Sequence, residues 1–446
     1  LKKHDIVFEY NENGLVKGFD YQTQKQSRMV VNSLDLVVHS EQPKGKMVKV
    51  LFEPNTKLTD SLTYDITAWS LPYAHGFKAI ASKTKVPSRK ENKVEKVNNQ
   101  IQKDAYAYLA KWNTIEDARF LGDMLQANIR VRFSENDFSI EGNSYAKGTL
   151  IILRGDNRLS QEFDKQVNSI ANKNNRVLIP VKTGFVSSGK DFGSSSVRPI
   201  NKQKVAVISG KGTSSLNFGE IWHFFETQLK YPLTILDRAY LSNVDFNDYD
   251  VLIIPDGSYN KILDKKGLEK IHKFSQKGGT VIAIGTALRS FADKDGFELK
   301  KKKSSAKDTE KKITQLISHA DKERMEANNL ITGAIFKSTV DNTHPLAFGY
   351  DKSYFSLKLN SGCYEYLDNG SNIAYFDDNA INIAGFAGKK ALKRISKSLL
   401  FAEERKGNGS IIYMVDNPLF RSFWENGKLF FVNAIFFRNS SKIDND

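Results

Sequence analysis

The sequence predicts an α/β protein whose largest part is a flavodoxin-like doubly wound sheet, and three observations support this. The chain has 446 residues, 40% of them hydrophobic, which is enough for a large core and several domains. From Lys204 onward, short apolar runs alternate with amphipathic helical patterns. Glycine-containing turns close several of these elements. Such a series is typical of a parallel sheet with helices on its faces.

Two smaller units are predicted before this sheet, in residues 1–82 and 104–200. Each contains a similar stretch, an apolar strand followed by a polar loop and a helical pattern, and we expect a degenerate repeat. The two stretches read SLDLVVHSEQPKGKMVKVLFE and GTLIILRGDNRLSQEFDKQVNSIA. Residues 83–103 contain almost no large apolar side chains, which predicts a charged linker or an exposed helix between the units.

The second unit has further predicted elements. A long amphipathic helix is expected at about residues 114–127 (TIEDARFLGDMLQA), and the strand candidate IRVRF follows it. Because strand and helix alternate here too, we expect a parallel sheet in this unit.

The third unit is predicted to cover residues 201–446. A Lys-rich insertion near residues 297–325 interrupts it, several probable strands come next, and NPLFRSFWENGKLFFVNAIFF is expected to form a closing turn and helix. The elements predicted before the insertion are the strand KVAVISG, the helix LNFGEIWHFFETQLKY, the strands LTILD and YDVLIIPDGSY, the helix LEKIHKFSQKGG and the strand TVIAIG.

A doubly wound sheet binds its ligands beyond the carboxyl ends of its strands. We therefore expect a cleft there. His344 precedes Pro345, which predicts an extended or turn conformation at His344. In that conformation His344 could line the cleft or form hydrogen bonds within its own loop. The candidate cleft-lining residues are Ser209, Gly210, Asp256, Gly257, Ser258, Tyr259, Gly285, Thr286 and His344.

Metal and phosphate sites are weakly indicated. His223 and Glu226 have the H-x-x-E spacing of some zinc ligands, but the helical periodicity places them on the polar face, opposite a predicted buried face. An i,i+3 pair on a solvated face explains both residues without a metal ion, and they are only weak candidates for zinc ligands. That buried face contains Phe218, Ile221, Trp222, Phe225 and Leu229. The run ISGKGTSS lacks the spacing of a phosphate loop, which favours a structural turn or a weak anion site.

Composition narrows the classes of function. The net charge of +15 could indicate nucleic-acid binding, but the densest lysine cluster, Lys300–Lys303, has no interleaved aromatic residues, and a solvated insertion is the better interpretation. No apolar run is long enough for a membrane span. The single cysteine, Cys363, excludes internal disulfides and a cysteine-based zinc cluster.

Several long sequence segments together resemble one protein family. They are SLDLVVHSEQPKGKMVKVLFEP, SLTYDITAWSLPYAHG, DFGSSSVRPI, SLNFGEIWHFFE with YPLTILD, YDVLIIPDGSYN, THPLAFGY and NPLFRSFWENGKLFFVNAIFF. The chain resembles the C-terminal half of large secreted bacterial proteins of the carboxypeptidase A-like zinc peptidase family. In those proteins the peptidase domain comes first and a class I glutamine amidotransferase-like domain comes last.

This resemblance implies a function without catalysis. The family's zinc motif belongs to the peptidase domain, which this chain lacks, so we expect no cofactor here and transfer no zinc-ligand role to His223 or Glu226. The chain begins with Leu1, and we expect it to be a processed or truncated product. A secreted or periplasmic accessory region is implied, with the upstream peptidase domain and peptide or cell-wall fragments as partners.

The stretch GGTVIAIGTALRS is where an amidotransferase would present its nucleophile. The position that aligns with the catalytic cysteine is Gly285, and a threonine hydroxyl such as that of Thr286 is a poor nucleophile without a nearby base. Cys363 lies in LNSGCYEY, where no strand-to-helix elbow is evident. A hydrolase with an unusual site at Thr286, Ser258 or Cys363 remains the alternative, and it requires a histidine within reach.

Overall fold

The computed structural model describes residues 1–55, 68–90, 96–303 and 318–437. The first part of the chain forms two three-stranded antiparallel sheets, with the orders β4-β1-β6 and β3-β2-β5. Its elements are β1 (Glu9–Asn11), β2 (Gly14–Asp20), β3 (Lys25–Val31), β4 (Leu36–Val37), α1 (Gly45–Phe52), α2 (Leu71–His75), β5 (Ile80–Ala81) and β6 (Ser88–Arg89).

The segment 83–103 differs from the expected linker. β6 pairs with β1, so the first part extends beyond residue 82. Farther along, the Asn99 side chain donates to the carbonyl of Arg176 and accepts from the N–H of Leu178, at 2.8 Å each. The described residues of this segment contain no helix; strand pairing and hydrogen bonds from the N–H groups of Val97 and Asn99 to the side chains of Asn175 and Asn172 satisfy backbone groups instead. Residues 91–95 lie outside the described part of the chain.

The second part contains a five-stranded sheet with the order β12-β7-β11-β8-β13 and a separate hairpin of β9 and β10. The predicted helix is present as α3, which begins with a capping box in which Thr114 and Asp117 bond each other's backbone. The elements are β7 (Ala107–Ala110), α3 (Ile115–Gln126), β8 (Val131–Ser134), β9 (Phe138–Ile140), β10 (Asn143–Tyr145), β11 (Leu150–Leu153), α4 (Phe163–Lys173), β12 (Ile179–Val181) and β13 (Val197–Ile200).

The expected parallel sheet in this part is wrong, because every neighbouring pair of strands is antiparallel. The strands β7 and β8, which α3 connects, do run in the same direction, as a crossover requires. However, β11 lies between them and runs opposite to both. The predicted strand-helix-strand order is therefore present, but the inserted β11 makes the sheet antiparallel.

The expected repeat is also wrong for the described residues. β4 is a two-residue edge strand with an exposed leucine, whereas its proposed counterpart β11 is fully buried at the centre of a sheet. A strand with so little apolar surface cannot occupy a central position. The first and second parts therefore have different topologies.

The third part contains a ten-stranded mixed sheet. Its strands are β14 (Val205–Ser209), β15 (Thr234–Asp237), β16 (Val251–Ile254), β17 (Thr280–Ile284), β18 (Ala334–Val340), β19 (Ser353–Lys358), β20 (Ser371–Phe376), β21 (Ile381–Ala384), β22 (Ser398–Lys406) and β23 (Gly409–Met414). Its helices are α5 (Ser215–His223), continued by a π-helical turn (Phe224–Leu229), then α6 (Lys265–Gln276), α7 (His319–Ala327), α8 (Lys389–Ile395) and α9 (Glu425–Phe436).

The parallel half of this sheet has the order β15-β14-β16-β17-β23. Helices cover both of its faces: Ile221 of α5 and Phe431 of α9 pack on one side, and Ile271 of α6 packs on the other. The predicted strands and helices between Lys204 and Ile284 are confirmed in type and order. The protein is therefore of the α/β class.

An antiparallel half continues the sheet from β23, through β22 and β20 to β18, which pairs with both β19 and β21. These strands lie between β17 and β23 in the sequence, so they form a long insertion before the last parallel strand. Residues 304–317, in the predicted Lys-rich insertion, lie outside the described part of the chain. The closing helix expected from the C-terminal apolar segment is present as α9.

The first and the second part each pack against the third part through buried aromatic side chains. In the second part, the indole N–H of Trp112 donates to Asn433 Oδ1 of α9 at 2.9 Å. In the first part, the ring of Tyr73 lies 4.7 Å from that of Phe355 on β19. None of the helices in the described ranges has the length and hydrophobicity that a membrane crossing requires.

Candidate functional site at the strand ends

The loops that follow β14 and β16 meet at the carboxyl edge of the parallel strands. The Ser214 N–H donates to the carbonyl of Asp256 at 2.8 Å, and the Ser258 N–H donates to the carbonyl of Gly212 at 2.9 Å. Thr213 also forms an isolated bridge with Gly257. The structure thus brings two of the three predicted loops together through their backbones.

The third loop begins at Gly285, directly after β17. Gly285 has φ +61°, in the left-handed region, and starts a short 3₁₀ turn that ends at Ser290. A Cβ atom added at Gly285 would lie 2.9 Å from Oδ1 of Asp256, which is too close for a carbon atom. Gly285 therefore has no side chain, and one added there would have to displace the carboxylate of Asp256.

The hydroxyl of Thr286 is fully engaged. It donates to Asp256 Oδ1 and accepts from the Gly257 N–H at 3.1 Å, and the Thr286 N–H donates to the same carboxylate oxygen at 2.7 Å. In turn, the Asp256 N–H donates to Asn217 Oδ1 at 2.8 Å. We call this arrangement of Asp256, Gly257 and Thr286 the strand-end clasp. It joins the loops after β16 and β17 and uses the polar atoms that a hydrolase would need free.

The remaining candidates stabilise the loops. Arg238 Nη1 donates to the carbonyls of Lys211 at 2.5 Å and Ser258 at 2.8 Å, and so cross-links the loops after β14 and β16. Tyr259 is buried and donates to the carbonyl of Pro255 at 2.9 Å, and its burial raises the pKa of the phenol to about 12. These contacts give the ISGKGTSS run a structural role, as one of its two interpretations predicted.

Ser209 and Gly210 lie at the end of β14, beside β15. Ser209 Oγ is 3.4 Å from the carbonyl of Leu236, to which it donates. Gly210 has φ +94°, and a Cβ atom there would lie 3.0 Å from Oδ1 of Asp237. Both positions therefore belong to the tightly packed strand ends.

His344 has contacts of its own. Its Nδ1 accepts from the Leu346 N–H at 3.2 Å, and its Nε2 lies 3.0 Å from Oε2 of Glu403, whose side chain is 1% exposed. Glu403 is opposite Ile412, in the body of the sheet and short of the strand ends. Since both ring nitrogens are engaged there, His344 is the hydrogen-bonded loop histidine, and the cleft-lining placement is wrong.

His223 and Glu226 are both exposed, as the predicted polar face requires. His223 is the last residue of α5, and its carbonyl accepts from the hydroxyl of Thr227 at 2.7 Å. The prediction for Trp222 is wrong, since its side chain is 49% exposed, while Phe224 is buried. The physical reason is that the buried face of α5 has ordinary helical spacing through Asn217, Glu220, Ile221 and Phe224, and Trp222 lies outside this face. In the described ranges, no group of three or more His, Cys, Asp or Glu side chains is arranged to bind a metal ion.

Sequence reasoning missed a polar cluster beside the clasp. Glu220 of α5 is buried, and its two carboxylate oxygens accept from the Asn417 side chain and the Arg421 N–H, each at 2.6 Å. The Asn217 side chain also donates to Glu220, at 3.1 Å. The Asn217–Glu220 spacing on the buried side of α5 was the only available signal, because the other partners lie about two hundred residues away in the sequence.

A buried ion pair lies just past the end of β23. Lys358 Nζ donates to Asp416 Oδ1 at 2.8 Å, and Ser356 Oγ donates to Asp416 Oδ2 at 2.7 Å. Cys363 is also buried, and this burial raises the pKa of its thiol despite the nearby charge of Lys358. A buried thiol with a raised pKa is a poor nucleophile.

Comparison with known proteins gives only distant structural similarity. No protein-family model matches the chain, and no curated protein sequence matches it. A putative ThuA-like protein from Bacteroides uniformis is similar over 55% of this chain and 93% of its own, with 12% identity and a TM-score of 0.33. A putative GMP synthase protein from Thermoplasma acidophilum is similar over 52% of this chain and 94% of its own, with 11% identity and a TM-score of 0.30.

A β-galactosidase from Bacillus circulans sp. alkalophilus is also similar, over 52% of this chain, with 11% identity and a TM-score of 0.29. The matched region spans only 31% of the length of that enzyme.

Proposed function

We propose that this chain is a non-catalytic accessory region, and that its third part is a degenerate class I glutamine amidotransferase-like domain. One observation carries the proposal. Gly285 occupies the elbow after β17 with φ +61°, and the space beside it is filled by the carboxylate of Asp256. An amidotransferase of this architecture would present its nucleophile at such an elbow, and Gly285 supplies none.

The other candidate nucleophiles support the same conclusion. Nucleophilic catalysis requires a hydroxyl or thiol within about 3 Å of a general base. The hydroxyl of Thr286 does lie beside a carboxylate, Asp256, but that carboxylate also accepts the Thr286 N–H, and the hydroxyl accepts from the Gly257 N–H, so both groups hold the strand-end clasp together. The thiol of Cys363 is buried and has a raised pKa. Of the histidines, His344 has both ring nitrogens engaged at Leu346 and Glu403.

The proposed biological setting rests on the resemblance of the sequence segments to the zinc carboxypeptidase family. In this setting the chain belongs to a secreted or periplasmic protein similar to the zinc carboxypeptidases. The zinc ion then belongs to an upstream peptidase domain, and the chain binds or positions that domain, a peptide or a cell-wall fragment. The strand-end edge and the surfaces of the first two parts are the regions available for this work.

A substrate panel tests the proposal. The purified chain is incubated, with and without added zinc, with C-terminal peptide substrates and glutamine amides, and metal content is measured on the same sample. We expect no turnover and no stoichiometric zinc. Turnover that follows zinc content would contradict the proposal and implicate His223, Glu226 and His344. Metal-independent turnover that is lost in a Thr286→Val variant would favour the alternative, a hydrolase at the strand ends.

A further inference from the structure

Two basic stretches that are far apart in the sequence lie side by side in the structure. The first is Lys300–Lys303, and the second is KKALKRISK, from Lys389 to Lys397, which forms α8 and the turn after it. Lys302 joins them, because its Nζ donates to the carbonyls of Ser396 and Lys397, the second at 3.1 Å. The first stretch, expected to be a solvated insertion, therefore has a neighbour of the same charge.

The buried thiol of Cys363 lies where the two stretches meet. Burial raises the pKa of this thiol, and the charges of four cations act in the opposite direction. They are Lys358, Arg394, Lys302 and Lys301. Arg394 is held in place, since its Nη2 donates to the Ser361 hydroxyl and to the carbonyl of Asn329, the latter at 3.1 Å. Cations of both stretches thus lie close to a single point.

We call the cations of this surface the basic face, which comprises Lys301, Lys302, Lys303, Lys389, Lys393, Arg394 and Lys397. Three carboxylates act on it. Asp293 accepts from the Lys301 N–H at 3.3 Å, and Asp378 pairs with Lys397 at 3.0 Å. Burial lowers the pKa of the Lys302 ammonium, and Cys363 and Glu365 partly oppose this shift. Seven cations against three carboxylates leave an excess of four positive charges.

This excess of charge is unfavourable in the unbound protein. Lys389 is the first residue of α8, where the helix dipole disfavours a cation, and it lies one helical turn from Lys393, which it repels. Within the described ranges, neither these two lysines nor Lys301 and Lys303 form an ion pair. A bound polyanion would relieve the repulsion that the chain itself leaves in place.

The residue types of the basic face favour phosphate groups over carboxylates and over bases. Six of its seven cations are lysines, which bind phosphate as point charges, whereas the two-nitrogen fork of an arginine suits a carboxylate best. The fork of Arg394 is only partly available, because its Nη2 already donates to Asn329 and Ser361. Neither basic stretch contains an aromatic side chain on which a base could stack.

We propose that the basic face binds a flexible chain of phosphodiester groups through charge alone. Such a chain releases condensed counterions when lysines neutralise its phosphates, so its affinity falls steeply as salt is added. The inference goes beyond the proposed accessory function, since it depends neither on the strand ends nor on an upstream domain.

Fluorescence anisotropy with a labelled abasic oligomer of about ten phosphodiester groups tests the proposal. We expect a dissociation constant of about 10 μM at about 50 mM salt and binding about 20–50-fold weaker at about 200 mM, as contact with about three or four phosphates implies. A thymidine oligomer of the same length should bind within about twofold of the abasic one. No binding at about a millimolar, an affinity independent of salt, or much tighter binding of the thymidine oligomer, about tenfold or more, would overturn the proposal.

Two triple variants locate the binding. The face variant combines Lys301→Gln, Lys303→Gln and Lys393→Gln, and it should weaken the abasic oligomer at least about tenfold at about 50 mM salt and flatten the salt dependence. The matched control removes the same charge from exposed positions of the first part, and should bind within about twofold of the parent. It combines Lys25→Gln, Lys46→Gln and Lys49→Gln. Equal weakening in both variants would assign the binding to net charge, and unchanged binding in the face variant would contradict the proposal directly.

Discussion

Replacing Gly285 by alanine should cost much more stability than the same change at a similar glycine with open space. Both Gly285 (φ +61°) and Gly296 (φ +84°) lie in the left-handed region and in the third part of the chain. An alanine there costs about 1–2 kcal/mol of conformational energy at either position. At Gly296, the nearest atom to the new Cβ is 3.9 Å away, on His272, which is an ordinary contact.

At Gly285 the new Cβ lies 2.9 Å from Asp256 Oδ1, the atom that accepts both hydrogen bonds from Thr286. The carboxylate must move, which adds about 1–3 kcal/mol of crowding and weakens the clasp. We therefore expect a loss of about 2–5 kcal/mol for Gly285→Ala and about 1–2 kcal/mol for Gly296→Ala.

Urea unfolding of the two variants and the parent, followed by tryptophan fluorescence, measures the difference. Combining Gly285→Ala with Asp256→Ala should remove the crowding part of the loss, because the obstructing carboxylate is gone. Equal losses for Gly285→Ala and Gly296→Ala would refute the reasoning. An undiminished loss in the Asp256→Ala background would refute it too.

Two further predictions concern the buried groups near the end of β23. Asp416→Asn leaves the ammonium of Lys358, whose side chain is 1% exposed, without its counter-charge, and should lower the free energy of unfolding in urea by about 3–5 kcal/mol. Asp378→Asn breaks an exposed pair with Lys397 and should lower it by at most about 1 kcal/mol. Similar losses for the two variants would contradict the assigned burial. Because burial raises the pKa of the Cys363 thiol, iodoacetamide at pH 8 or so should alkylate the native chain at least about tenfold more slowly than the urea-unfolded chain, and equal rates by mass spectrometry would exclude a buried thiol.

The parallel half of the fold could be predicted from sequence because its signals are local. β14, β16 and β17 are short apolar runs buried on both faces, and α6 has an apolar stripe that ends before a glycine pair. The same kind of signal misled the prediction for the second part. β11 is as apolar as a parallel strand, and nothing in its composition reveals that it lies antiparallel between β7 and β8.

The candidate site was predictable only as a set of loops. Gly285 and Asp256 were both expected at the strand ends, since parallel strands end at the same edge of a sheet. The carboxylate of Asp256 occupies the space beside Gly285. This contact depends on side-chain packing, which the spacing of the two residues in the sequence does not reveal.

Incubation of the native chain with a diazoketone analogue of glutamine, followed by intact-mass spectrometry, tests the central claim most directly. Such a reagent forms a covalent bond with an activated nucleophile, and it therefore reports on the strand ends without knowledge of the natural substrate. The account predicts an unmodified mass, because Gly285 has no side chain and the Thr286 hydroxyl is bound to Asp256. A stoichiometric adduct that maps to Thr286 and is absent from Thr286→Val would contradict it.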